Sequence, residues 1–366
     1  VRRTHSLIVG GGPAGAAAAI RLAEGGARPL LIDRNREPPD HLCGGFLGWD
    51  ALAALSTLGI NAASLGAAPI RRVRVIARGV RIEAALPHAA AGLSRRTLDA
   101  ALMARADAAG AGIERGVLVR SIDPATRSIR IDGSAEVDAD ALFLATGKHD
   151  LRGGARPRAA AGPDPAVGLR TRLSATPALT RGLAGTIELH LFKRGYAGLL
   201  LQEDGAANLC LSVAQSRLAG AGGTAEALLA RLPDAPALAD RFGQAGGHTP
   251  WQAVAAVPYG WRAEETPEGL FRLGDQAAVI ASLAGDGVAI ALASASMAAL
   301  HYLRGGAGAA PDYQRAFSAA ARRPLRVAGG LRRIGESAAG PALLGAFGHI
   351  PGLPALFARL TRIGNH

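Results

Sequence analysis

Lysine is nearly absent from this 366-residue chain: Lys148 and Lys193 are the two present, so 39 of its 41 basic residues are arginine. The formal charge of +12 is spread along the chain, in short pairs such as Arg2-Arg3, Arg71-Arg72 and Arg332-Arg333. Nucleic-acid binding needs a concentrated basic face and usually aromatic stacking platforms. Aromatics make up only 4% of the residues, so nucleic acid is set aside as a partner. Dispersed basicity favours an anionic cofactor, an acidic carrier or a membrane surface.

Cysteine is scarce as well. Cys43 and Cys210 give neither a disulfide framework nor a zinc-ligand spacing. No Ser/His/Asp set, metal-ligand cluster or phosphate-transfer loop is visible, so no metal is expected. The first residues run straight into a strand pattern, so no signal peptide is expected. A reduced, cytoplasmic setting is the expectation. No apolar run is uninterrupted over a membrane's width. The longest, 277–300, is broken by Gly285-Asp286-Gly287, and reads as a loop feeding a buried helix rather than a span.

What is present begins at once. Leu7-Ile8-Val9 leads into Gly10-Gly11-Gly12-Pro13-Ala14-Gly15, an alanine-rich helical stretch, then Leu30-Leu31-Ile32-Asp33-Arg34. Strand, glycine turn, helix, strand and acid in this order form the dinucleotide-binding unit. Gly10 permits the tight turn, Gly12 lets a pyrophosphate approach the backbone, and Gly15 and Ala19 let the helix lie close on the sheet. The helix N-terminus offers free N–H groups to phosphates. Asp33 stands where a carboxylate meets ribose hydroxyls.

The remaining pattern divides the chain. A helix is expected over 50–58, paired strands over 72–76 and 80–84, and a helix over 95–109 capped by Ser94. Strands are expected over 114–122 and 128–131, and the apolar run 141–145 reads as a buried parallel strand. A Gly/Pro/Arg-rich linker covers 153–165. Strands at 186–191, 198–201 and 207–213 suggest an antiparallel sheet, with a helix over 224–232. A strand at 270–273 precedes Gly274-Asp275, and a long helix follows Asp286. The tail from 311 is helical, with proline breaks at 324, 341, 351 and 354. The fold class is α/β: a discontinuous Rossmann-like nucleotide domain, an inserted and mostly antiparallel substrate sheet, and a helical C-terminal tail. The expected boundaries are 1–158 (with 72–92 lent to the substrate sheet), 159–261, 262–310 and 311–366.

Three later signals join the opening motif. Cys43-Gly44-Gly45 follows the second strand, Leu144-Ala145-Thr146-Gly147 ends a buried one, and Leu273-Gly274-Asp275 is followed by Gly285-Asp286-Gly287. Together they resemble the FAD-dependent oxidoreductases of the p-hydroxybenzoate hydroxylase and geranylgeranyl reductase superfamily over most of 5–304. The likeness is strong in the FAD domain and weak in the inserted sheet. Cys43-Gly44, then Arg95, Leu98 and Asp99, resemble the geranylgeranyl reductase branch in particular. The resemblance implies FAD held by Gly10, Gly12, Pro13, Ala14, Gly15, Asp33, Arg34, Cys43, Gly44, Arg95, Thr146, Gly147, Gly274, Asp275, Gly285, Asp286, Gly287 and Val288. Asp275 would bond the ribityl chain. The helix from Gly287 and Val288 would turn its positive end to the flavin pyrimidine.

Two departures stand out. Thr146-Gly147 replaces an acid-glycine pair that supports NAD(P)H and flavin binding in the hydroxylases, and Ser282 replaces a proline that shapes the loop over the flavin. The tryptophan-x-tryptophan signature of the halogenases is missing. Cys43 is either a small core residue or a group beside the flavin ring. His149 lies in a loop where α/β ligands gather. Tyr196, Tyr259 and Trp261 either pack the second sheet or line a pocket for an apolar ligand, and Cys43, Tyr196 and Trp261 are the weak catalytic candidates. The resemblance implies a monooxygenase or reductase acting on a polyketide, aromatic or isoprenoid, with NAD(P)H as reductant. The alternative is a non-enzymatic FAD-binding redox or sensor protein. The basic stretch 332–362 either touches a membrane or a carrier or caps the substrate sheet.

Overall fold

The computed structural model describes residues 2–132, 136–337 and 360–363. β1 (Arg2–Val9) enters the glycine turn, α1 (Pro13–Glu24) leaves it, and β2 (Pro29–Asp33) returns parallel to β1. Leu7, Ile8 and Leu31 are fully buried, as strands covered on both faces require. Ala16 to Ala19 are also fully buried. Their small side chains let α1 lie close to the sheet: a Cβ on Gly15 would stand 1.8 Å from the Gly10 carbonyl oxygen.

β3 (Phe46–Leu47) and α2 (Trp49–Thr57) follow, then the long hairpin of β4 (Ala68–Ala77) and β5 (Val80–Gly92). Arg78 and Gly79 turn it, both at positive φ (44° and 84°), which matches a tight two-residue hairpin. α3 (Arg95–Ala108) starts on Ser94, whose hydroxyl accepts the Thr97 N–H. The strand expected over 114–122 is two strands. β6 (Gly112–Arg115) pairs with β2, Gly116 takes φ +75°, and β7 (Val119–Asp123) turns away to pair with β8 (Ser128–Ile131). β9 (Glu136–Leu144) lies parallel to β1.

The first sheet has the order β6-β2-β1-β9-β8-β7, and β15 (Leu270–Arg272) adds in parallel to the C-terminal half of β9. The chain between these strands builds the second sheet. It contains β10 (Ala166–Leu173), β11 (Thr186–Phe192), β12 (Gly195–Leu201), β13 (Ala207–Ala214) and β14 (Gln252–Val257). Its order is β14-β10-β13-β12-β11-β4-β5-β3. All its pairs are antiparallel except β4 with β11. Two of its strands were hidden from pattern reading. β10 carries Arg170 and Arg172 inside its apolar run, and β14 has no apolar alternation.

Helices α4 (Pro177–Leu183), α5 (Gln215–Gly220), α6 (Ala225–Ala230) and α7 (Pro236–Gly243) contribute apolar side chains to the core of this sheet. α8 (Gly287–Gly305) and α9 (Ala310–Glu336) pack on the first. By length and composition this helical stretch could cross a membrane, but Val288, Ile290, Leu292 and Ala295 of α8 are buried in the core. The break expected at Pro324 does not occur, and α9 runs through it. Proline there forfeits one backbone hydrogen bond, while Phe317, Ala321, Pro324 and Ala328 are all buried. That packing outweighs the lost bond. The breaks expected at 341, 351 and 354 lie outside the described residues.

Candidate active site

A cavity of about 740 Å³ opens between the two sheets. The first βα turn forms one end. Gly10 has φ +108°, and a Cβ there would come 2.5 Å from the Ala145 carbonyl oxygen, so only glycine fits. Gly12 precedes α1 with no capping side chain, Pro13 begins the helix, and no acid stands in its first turn. The leading N–H groups thus face the cavity as an anion site. The nearest group to a Cβ on Gly12 would be the Arg95 guanidinium, at 3.2 Å. Asp99 grips Arg95 from behind with two bonds, Nε to Oδ1 at 2.8 Å and Nη2 to Oδ2 at 2.7 Å. Burial works against the Arg95 charge, but Asp99 outweighs it and raises the guanidinium pKa.

Asp33 is held at the tip of β2. It accepts the Gly11 N–H at 2.6 Å on one oxygen and the Asn35 N–H at 2.7 Å on the other. Arg34 reaches His149, Nη2 to Nε2 at 3.0 Å. Burial lowers the pKa of His149 and pushes that of His41 down to about 4, with Arg95 and Arg34 adding to the effect on His41. Both rings are neutral near pH 7. His41 and Lys148, both in the cavity wall, were not singled out from the sequence.

The Cys43 loop is fixed from the second sheet. Asp40 pairs with buried Arg170 at 2.6 Å, and Arg170 Nε donates to Asn208 Oδ1 at 2.7 Å. Asn208 Nδ2 then donates to the carbonyls of Cys43 (3.0 Å) and Gly44 (2.8 Å). A Cβ on Gly44 would meet nothing within 4 Å, so backbone faces open space there. Cys210 lies across the cavity, and burial pushes its thiol up to about 12. Arg170 and Asn208 carry no local sequence signal, because their partners are far away in the chain.

The far wall joins the ends of β9 and β15. Gly147 has φ +63° and open space before it, and Gly287 at the start of α8 also faces open space. The Thr146 hydroxyl donates to the His149 carbonyl at 2.6 Å and closes the loop. Lys148 Nζ stands 3.2 Å from Asp275 Oδ2, and that carboxylate raises its pKa. Gly274, at φ +55°, donates its N–H to Ser294 Oγ at 2.8 Å. Ser282 bonds the Tyr259 hydroxyl at 2.6 Å.

Most of the residues expected to hold cofactor line this one cavity, including Arg34, Thr146, Gly285 and Val288. Two do not. Gly15 lies beneath the turn against Gly10. Asp286 is buried at the start of α8, paired with Arg362, which also reaches Asp50 at 3.2 Å. Among the catalytic candidates, Cys43 and Tyr196 line the cavity. Trp261 packs beside Val279 and under the Arg156 guanidinium, 5.7 Å from its ring, and does not.

An open glycine cradle, a free helix N-terminus beside a fixed arginine, and an acid at the second strand's tip fit FAD. Residues 3–149 match the FAD binding domain family. The chain is 38% identical over 127 residues to chloroplastic geranylgeranyl diphosphate reductase of Oryza sativa subsp. japonica, which covers 32% of this chain and 26% of that one. The match therefore spans about a quarter of that relative's length. Among solved structures, the flavin-dependent brominase Bmp2 superimposes with TM-score 0.77 at 17% identity, covering 98% of this chain and 93% of that one. A geranylgeranyl bacteriochlorophyll reductase-like protein of Thermoplasma acidophilum gives 0.77 at 17%, covering 99% and 94%. PqsL of P. aeruginosa, in complex with 2-aminobenzoylacetate, gives 0.71 at 16%, covering 94% and 100%. The chain thus carries an FAD-binding domain over residues 3–149, and as a whole it shares the fold of these three structures.

Proposed function

We propose that the protein is an FAD-dependent oxidoreductase, a monooxygenase or reductase, acting on a hydrophobic small molecule with NAD(P)H as electron donor. The observation that carries this reading is the continuity of the cavity. It runs from the glycine turn at α1 to an apolar wall on the second sheet formed by Val73, Val75, Ile187, Leu189 and Leu200. A nucleotide grip and an apolar berth share one space, as a cofactor that meets its substrate requires.

The residues divide the task. The α1 N-terminus and Arg95 would take the diphosphate, and Asp33 the adenosine ribose. Asp275 and Lys148 would face the ribityl chain, and the α8 N-terminus at Gly287 would favour negative charge on the reduced ring. Bound FAD supplies a two-electron carrier, which the side chains of this chain lack. The β4–β11–β12 wall excludes water from the face where substrate lies. The absorbance spectrum of the purified protein tests the cofactor: flavin bands, and FAD rather than FMN on denaturation. Stopped-flow bleaching by NADPH or NADH tests the donor. Oxygen uptake matched to product identifies a monooxygenase, and turnover without oxygen identifies a reductase. A colourless protein that binds no added FAD overturns the proposal.

A further inference from the structure

The wall of the cavity on the second sheet is mostly apolar; besides Gln252 and Cys210 it carries one pair of hydroxyls. Tyr196 on β12 and Ser212 on β13 are direct cross-strand partners, so their side chains stand side by side on one face of the sheet. They are 3% and 2% exposed, and both line the cavity. Neither hydroxyl has a hydrogen-bond partner among the described residues. The Tyr196 ring is set among Ala77, Leu191, Val75 and Leu283, which fixes where its oxygen points. The hydroxyls of Ser212, Tyr259 and Ser282 lie close to that oxygen without reaching bonding geometry. Tyr259 and Ser282 already bond each other at 2.6 Å. A buried hydroxyl left without a protein partner is costly, and it calls for a ligand, an ion or a water to answer it.

We propose that Tyr196 and Ser212 form a polar anchor that takes one neutral oxygen of an otherwise apolar substrate. The inference rests on the reading of this cavity as the site of an FAD-dependent enzyme, and adds to it the substrate class: a hydrophobic molecule with a hydroxyl or carbonyl group. Each hydroxyl offers one donor and two acceptor positions. Burial holds the Tyr196 pKa well above its ordinary value, so the phenol keeps its proton to donate. Lys148, a cation near Tyr259, is already paired with Asp275. The anchor therefore suits an uncharged oxygen rather than a carboxylate or phosphate. The adjacent turn, Ser282–Ala284, leads into Gly285 and the start of α8, so an oxygen held here lies at the end of the cavity assigned to the flavin.

The test uses two probes of equal shape, 2-naphthol and naphthalene, in equilibrium dialysis against the flavin-loaded protein. The expected result is that 2-naphthol binds about tenfold tighter, the effect of one buried hydrogen bond gained. Tyr196→Phe and Ser212→Ala should each shrink this preference, and together abolish it, with naphthalene affinity and flavin absorbance unchanged. Equal affinity for the two probes, no binding of either, or a preference that survives the double variant would overturn the anchor. A protein without flavin bands defeats the cofactor reading instead, and dialysis still reports on the anchor by itself.

Discussion

The two sheets are built by different physics. The first is dry. Its strands and α1 meet through alanine, glycine and branched aliphatic side chains, with Leu7, Ile8, Ala17, Ile20, Leu31 and Phe143 fully buried. The second buries charge. Glu188, fully buried on β11, accepts bonds from Arg74 on β4, from Arg241 on α7 (3.0 and 2.8 Å) and from His190 (3.2 Å). Near its other edge, Arg170 and Asp40 form a second buried pair. Close packing tolerates no added atom, whereas a charge network tolerates no lost partner. The two regions should therefore fail under opposite kinds of substitution.

The largest effect should come from adding a side chain to the first sheet. Gly15→Val places Cβ 1.8 Å from the Gly10 carbonyl oxygen, a backbone contact that no rotamer relieves. Gly10→Val adds a left-handed φ of 108° to a 2.5 Å clash with Ala145. Both variants should yield no flavin-bearing soluble protein, read as the ratio of 450 nm to 280 nm absorbance across a size-exclusion peak. Normal flavin content in either would show that the helix can lift off the sheet, and the contrast between the regions would fall.

The second sheet should break by subtraction. Glu188→Gln keeps volume but leaves buried Arg74 and half-buried Arg241 around a neutral group. Removing one member of such a pair costs about 3–5 kcal/mol. The variant should unfold at clearly lower urea concentration, while the protein that remains folded binds FAD with unchanged affinity. A shift below about 1 kcal/mol would place this network among the weak surface pairs.

The same difference explains what could be read from the chain in advance. The glycine turn, Asp33 and the buried strands are local patterns: Gly10, Gly12, Gly15 and Asp33 fall within one strand–helix–strand unit, and each is dictated by backbone geometry. Glu188 and Arg74 lie 114 residues apart, and Asp40 and Arg170 lie 130 apart. Nothing near Arg170 marks it as internal, so β10 has no pattern of its own, although the Cys43 loop that it braces carries a local glycine signal. Tyr196 was legible as a pocket candidate because it is aromatic. Ser212 was not, since its role comes only from the β12–β13 register. Trp261 looked equivalent to Tyr196 in sequence, and the chain turns it toward Val279 instead.

A smaller effect should separate grip from stability within the first sheet. Asp33, proposed to meet the adenosine ribose, also accepts the Gly11 N–H. Asp33→Ala removes charge-assisted bonds that contribute about 1.5–3 kcal/mol, so FAD affinity should fall by about 10- to 100-fold in fluorescence titration. Thermal unfolding without FAD should move little, because the strand core does not depend on this residue. A large loss of stability with unchanged affinity would make Asp33 a turn-holding residue only.

The smallest effect is set by acid, and it sharpens the contrast without altering a contact. His41 has a pKa of about 4 in the folded protein, below its ordinary value of 6.5, chiefly through burial. Between those values the unfolded chain binds the proton and the folded chain does not, so stability falls as pH drops from 6.5 toward 4. His149 is lowered for the same reason and adds loss in the same direction. Glu188 behaves in the opposite way. Its carboxyl is held far below the usual 4.5, since the surrounding His190, Arg241 and Arg74 outweigh its burial. Its contribution is therefore intact above pH 4.5 and is lost only below it. Lowering pH from 7 to 5 should weaken the FAD-side sheet alone, on the order of 1 kcal/mol after discounting for the partial exposure of His41. Backbone hydrogen exchange reports the two regions separately. The amides of β1 and β2 should lose protection over this range while those of β12 and β13 hold, and His41→Gln should reduce the loss. Parallel loss in both sheets would show that they unfold as one unit, however differently each is built.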